Sequence, residues 1–275
     1  MRRAALLVGA LLLAGCAGRP GDAPAPADAG AALPTVPGVE AEAVLLRTDE
    51  AAGDRFQVRV TAGAPFTVTA VALEVPGFAP LPAAAVTAEL VPGRVVDLPV
   101  TYGGVDCSVT PGAAAVRLTV RRPDGAVDEP LVPLQGDVPA RVHAEECAAV
   151  RLAAAVEVAV TGLRPAEDSV SGRLALRRLA GGEPVTVVRI GRSVLVEVWA
   201  DLPLRMGVRD DAADVPVTFR PATCEPHVLA ETKQPYVFPV ELLQGEEAPV
   251  VVDLPVDDDL RAALADLVRR VCGAG

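Results

Sequence analysis

The chain has 275 residues, of which 36 are acidic and 25 basic, giving a formal charge of −11. That balance excludes the basic footprint by which a protein releases counterions from a nucleic acid, and it disfavours polyanionic partners in general. Aromatic residues make up only 3% of the chain, which leaves little for the exposed Trp and Tyr platforms of a carbohydrate-binding surface.

The N-terminus reads as an export signal. Arg2 and Arg3 form a positive n-region, and Ala4 to Ala14 form an apolar run shorter than the roughly 20 residues of a permanent transmembrane helix. The run ends in Leu13-Ala14-Gly15-Cys16, which resembles the lipobox of bacterial lipoproteins. The resemblance implies cleavage before Cys16, a diacylglycerol on its sulfur, and residence at the cell membrane on the extracytoplasmic face. Each buried methylene contributes about 0.8 kcal/mol, so two or three acyl chains anchor stably where one does not. Residues 1–15 are therefore a signal peptide. Residues 16–37, rich in Ala, Pro, Gly and Asp, are a tether with too little to bury to offset the entropy of ordering it.

About 235 residues remain, consistent with two domains. Residues 55–61, 66–75, 114–122, 153–160, 193–199 and 247–256 alternate or run β-branched, and Pro, Gly and Asp clusters separate them. One passage is written twice. At an offset of 117 residues, Asp97, Pro99, Val100, Thr101 and Cys107 recur as Asp214, Pro216, Val217, Thr218 and Cys224. Upstream, 65–78 parallels 184–198, and each copy ends in one further cysteine, Cys147 or Cys272. Such a pattern points to an internal duplication. The expected fold is mainly β: two tandem immunoglobulin-like antiparallel β-sandwich domains, 38–147 and 148–275. The Cys, Trp, Cys order of true immunoglobulin domains is absent, because Trp199 precedes both cysteines of its copy.

A C-terminal helix on the second domain breaks the β pattern. Leu260, Ala263, Leu264, Leu267, Val268 and Val271 recur at helical spacing. Asp257 to Asp259 stand where acids complement the helix dipole, Arg269 and Arg270 stand at the opposite end, and Gly273 is placed to follow the last turn. The first copy has VHAEECAAVRLA in that place, so the copies are expected to differ here.

Five cysteines become four once Cys16 is lipidated, and an even number in an exported chain points to disulfides. Four cysteines permit three pairings. The duplication selects the internal ones, Cys107–Cys147 and Cys224–Cys272.

Catalytic chemistry finds little support. Only His143 and His227 are available as imidazole bases, there is no Gly-x-Ser-x-Gly elbow, and no Gly-rich phosphate cradle follows a strand. An enzyme is not expected. The segment CEPHVLAETK at 224–233 is the sharpest candidate for binding. There His227 and Glu231 would share one face of a helical turn, with Glu225 close by. Two ligands do not make a metal site, so no metal or cofactor is expected, and the segment reads first as a structural corner. Lys233, the only lysine, would suit a buried ion pair with Glu231 or Glu225, or the capture of an acidic ligand. The pattern Cys-Glu-Pro-His-x-x-Ala-Glu-x-Lys resembles one in uncharacterised exported lipoproteins of high-GC actinobacteria. The resemblance covers the second copy only and implies no activity.

The sequence therefore points to a lipid-anchored extracytoplasmic binding or envelope-scaffold protein, non-enzymatic, with the membrane and an envelope protein as partners. The alternative is a carrier of a small apolar ligand or metal presented at the membrane surface. An apolar cavity inside a sandwich would favour the carrier, whereas packed cores with an exposed apolar patch would favour the interaction module.

Overall fold

The computed structural model describes residues 36–273, so the signal, Cys16 and nearly all of the tether lie outside the described residues. The N-terminal half runs through β1 (Val39–Val44), α1 (Arg47–Ala52), β2 (Arg55–Ala62), β3 (Phe66–Glu74), β4 (Ala84–Leu90), β5 (Val95–Thr101), β6 (Ala115–Arg121), β7 (Val127–Asp128) and β8 (Leu131–Gln135), and ends in α2 (Val138–Ala155). The C-terminal half comprises β9 (Val156–Pro165), β10 (Val170–Arg178), β11 (Val185–Ile190), β12 (Val196–Ala200), β13 (Leu204–Met206), β14 (Ala212–Pro221), α3 (Pro226–Glu231), β15 (Pro239–Gln244), β16 (Val250–Asp253) and α4 (Asp258–Cys272). The protein is mainly β, with several antiparallel sheets and a C-terminal helix.

Both halves follow one connectivity. In the first, the strand order is β4-β3-β6-β8-β1-β2-β5, with β7 against β6. In the second, β12-β14-β10-β9 and β13-β11-β15-β16 form two sheets. The second strand of each half pairs with the strand carrying the repeated passage (β2 with β5, β10 with β14), and the third pairs with a later strand of its half (β3 with β6, β11 with β15). The halves differ at the first strand and beside the repeated passage. The parallel pairing of β1 with β8 makes the first half a single sheet, whereas β9 stays within one of two sheets in the second, and β14 carries β12 on the side where β5 has no neighbour.

The register explains why the passage recurs. Asp97 pairs outward with Arg59 across β2, Nε to Oδ1 at 2.8 Å, and Asp214 pairs outward with Arg173 of β10. Val100 and Val217 face inward and are buried. Pro99 lies on β5, which ends its sheet, and Pro216 lies one residue outside the stretch of β14 that β12 covers. A residue without an N–H is accommodated on strand edges of this kind. Alternation of this sort builds two separate clusters of buried apolar side chains. One is centred on Phe56, Val58, Val68 and Leu118, the other on Leu174, Phe219, Phe238 and Leu242.

Two features depart from the sequence expectation. The residues VHAEECAAVRLA belong to an 18-residue helix, so the first half, like the second, closes with a helix. The strand expected over 153–160 starts only at Val156, because Ala153 to Ala155 form the last turn of α2. Alanine has the highest helix propensity, and Val138, Val142, Cys147 and Leu152 give this helix a buried side, which outweighs the short alternation of Ala and Val that follows. The division expected between 147 and 148 falls inside α2, whose last residue leads directly into β9.

Candidate functional site

The corner at 224–233 is ordered by local bonds. Thr223 Oγ1 accepts from the Glu225 N–H at 3.1 Å, Pro226 opens α3, and the Thr232 hydroxyl donates to the Val228 carbonyl at 2.7 Å. The helix places His227 Nε2 3.2 Å from Glu231 Oε2, with both side chains largely in solvent. Lys233 is exposed and makes no ion pair or side-chain hydrogen bond among the described residues. This corrects the expectation of a buried pair with Glu231 or Glu225. The cluster contains His227 and Glu231 in contact and Lys233 apart from them, and no group of three or more metal-ligating side chains occurs among the described residues. The corner is an exposed turn leading from β14 towards β15.

The cysteines are brought together in pairs. Cys107 is bonded to Cys147 across 40 residues and Cys224 to Cys272 across 48. Each bridge ties the cysteine that ends the repeated passage to the closing helix of its own half.

A second site lies in the first half, and nothing in the local sequence pattern singled it out. The Pro-rich segment 76–82 leaves β3 and is laced to the segment after β5. Ala79 N–H donates to the Gly104 carbonyl at 2.8 Å, and Asp106 N–H donates to the Gly77 carbonyl at 2.8 Å. The approach is close enough that a Cβ on Gly103 would stand 2.2 Å from the Ala79 carbonyl oxygen, which reserves that position for glycine. Between this lacing, β3 and the end of β5 lies an open cleft of about 420 Å³, with Val71, Leu73, Phe78, Leu81, Val100 and Tyr102 among its walls. The volume falls within the usual range of ligand clefts, about 300–1,000 Å³. Leu81 stands 43% exposed at its rim.

Tyr102 lines that cleft, as do the polar residues Glu74 and Thr101. Its ring stacks on Phe56 and meets Phe78 edge-on, at centroid distances of 6.0 and 5.3 Å. Its hydroxyl donates to the Gly53 carbonyl at 2.9 Å and lies 3.4 Å from Glu146. Burial, followed by the charge of Glu146, raises the phenol from its usual 10 to about 12. Through that interval the unfolded chain loses the proton while the folded chain keeps it, so stability falls as pH rises from about 10 to about 12. Tyr102→Phe is expected to flatten this fall. Urea midpoints measured across the alkaline range check it, and the shared contribution of Tyr236, also raised by burial, cancels in the difference between the two proteins.

Neither protein-family models nor curated protein sequences give a match to this chain. Among the described residues, no helix is long and apolar enough to cross a membrane.

Proposed function

We propose that the chain is a lipid-anchored, extracytoplasmic interaction module, held at the membrane through Cys16 and presenting a non-enzymatic binding surface to an envelope protein. The two halves are read as tandem immunoglobulin-like sandwiches. The shared connectivity, with one layer built on the first, second and repeated-passage strands and the other on the third strand and its partners, supports that reading. The observation that carries the functional reading is the cleft beside Leu81. Phe56, Leu118, Phe219 and Phe238 are essentially fully buried, so both cores are filled by the chain itself, and this apolar opening lies at the surface. An open cleft walled mainly by apolar side chains, with Glu74, Thr101 and Tyr102 as its polar lining, suits apolar side chains of a protein partner.

The test is made on intact cells. A photoreactive residue at Leu81 is expected to give a discrete protein adduct, and the same probe at exposed Val251 is expected to give none. Cys16→Ala is expected to abolish both labelling by a palmitate analogue and the adduct. Equal labelling of wild type and Cys16→Ala would remove the anchor from the proposal. A single small apolar molecule retained in native mass spectra, without a protein adduct, would favour the carrier.

A further inference from the structure

The two disulfides occupy equivalent places in the two halves, yet their surroundings differ. His143 stands one helical turn before Cys147 in α2, whereas Val268 holds the corresponding place before Cys272 in α4. His143 is only 5% exposed. Phe78 packs edge-on against its ring at 5.6 Å, and a Cβ on Gly77, whose φ is +90°, would lie 2.7 Å from Nε2. The space around the imidazole is therefore filled on that side.

The hydrogen bonding decides which nitrogen is engaged by oxygen and which is left free of it. Nε2 lies 3.1 Å from the Asp106 carbonyl oxygen, which can only accept, so Nε2 carries a proton. The Asp106 carboxylate is turned to Ser108. Nδ1 then has one polar neighbour among the described residues, Cys147 Sγ at 4.0 Å, and the same sulfur stands 3.8 Å from Nε2, so it lies beside both ring nitrogens. Cys147 is 4% exposed, and its partner Cys107 is an exposed residue. In the other bridge, Cys224 is also exposed, but Cys272 Sγ faces the Thr223 carbonyl oxygen at 3.6 Å, an acceptor that offers no proton to a departing thiolate.

We propose that Cys107–Cys147 is a thiol–disulfide exchange site, with His143 as the acid that protonates the leaving sulfur, while Cys224–Cys272 is a structural staple. The substrate class is a thiol-bearing reductant, either a small thiol or a cysteine of another protein. This goes beyond the binding reading above and does not depend on it. The incoming thiol loses its proton to solvent, and its thiolate attacks Cys107 Sγ. The disulfide electron pair moves to Cys147 Sγ, which takes a proton from the adjacent imidazolium. A second thiolate then attacks the reductant's sulfur in the mixed disulfide, Cys107 leaves as a thiolate, and both it and the imidazole take a proton from solvent. The chain gains two electrons and two protons, and two thiols become one disulfide. Such exchange is faster when the leaving sulfur departs as the more stable anion, and an adjacent imidazolium provides that stability.

The second bridge is the internal reference for the test. The full chain in detergent is incubated with dithiothreitol, quenched at intervals with N-ethylmaleimide, and the alkylation of Cys147 and Cys272 is quantified by peptide mass spectrometry. Cys107–Cys147 is expected to open at least about tenfold faster than Cys224–Cys272. In His143→Gln, which keeps a side-chain donor for the Asp106 carbonyl but cannot become a cation, the ratio is expected to fall close to one. Equal rates in the wild type, or faster opening of Cys224–Cys272, overturn the proposal without recourse to any variant. A tenfold preference that survives in His143→Gln overturns it as well.

Discussion

Leu264→Ala is expected to lower the unfolding free energy by about 4 kcal/mol, near the top of the range for leucine truncation in a core. Leu264 is fully buried between Leu260 and Leu267 on the side of α4 that faces β9, β10 and β14. The cost of such a truncation depends on how far the surroundings can collapse into the space left behind. Here they are held. Asp257 caps the helix through Leu260 N–H at 2.8 Å, Arg270 donates to the carbonyls of Ala166 and Glu167 at 2.9 and 3.2 Å, and Cys272 is bonded to Cys224. With both ends fixed, the helix cannot settle towards the sheet, and most of the cavity remains. Leu264→Met conserves volume and is expected to cost less than about 1.5 kcal/mol. Urea midpoints at unchanged slope measure both, and a loss below about 1 kcal/mol for the alanine variant would contradict the packing of α4 described here.

The strands expected at 55–61 and 114–122 were legible because their side chains carry the alternation themselves. Phe56, Val58 and Val60 point inward from β2, and Val116, Leu118 and Val120 do so from β6, so period-two spacing locates them without tertiary information. Strand β14, which buries Val217 and Phe219, was not among the strands expected. The C-terminal helix was legible for the matching reason. Its leucines, its capping acid and its terminal arginines all agree, and it begins at Asp258 and ends at Cys272. Its sister α2 lacked that agreement. Its buried positions include Pro139, His143 and Cys147 beside valine, it has no acid in its first turn and no base in its last, and its alanine-rich end merges into the alternation of β9. The repeat could nevertheless have marked it, since Cys147 corresponds to Cys272 and the latter sits on a helix. The cleft was not legible at all. It exists because 76–79 is laced to 103–106, a contact between segments some 25 residues apart that no local pattern records. The exposure of Lys233 was equally hidden, because composition says nothing about which way a corner turns its side chains.

Removing the second bridge, with Cys224→Ser and Cys272→Ser together, is expected to cost about 4 kcal/mol by the loop-closure entropy of its 48-residue span. The folded contacts need not change for this to happen. Leu260, Leu264 and Leu267 still dock α4, and Thr223 and Thr232 still order the corner, so the loss arises in the unfolded chain, which gains the freedom the bridge denied it. Its reach is set by the packing. The two clusters of buried side chains are separate, and this bridge closes a loop lying wholly within the C-terminal half. Amide exchange should therefore quicken at Phe219, Val240 and Leu242 and stay nearly unchanged at Val58 and Leu118. Mass-spectrometric exchange on the double variant reads both sets in one experiment. Equal loss of protection in the two halves would show that they unfold as one unit, and the 4 kcal/mol would then belong to the whole chain and not to the half that the bridge encloses.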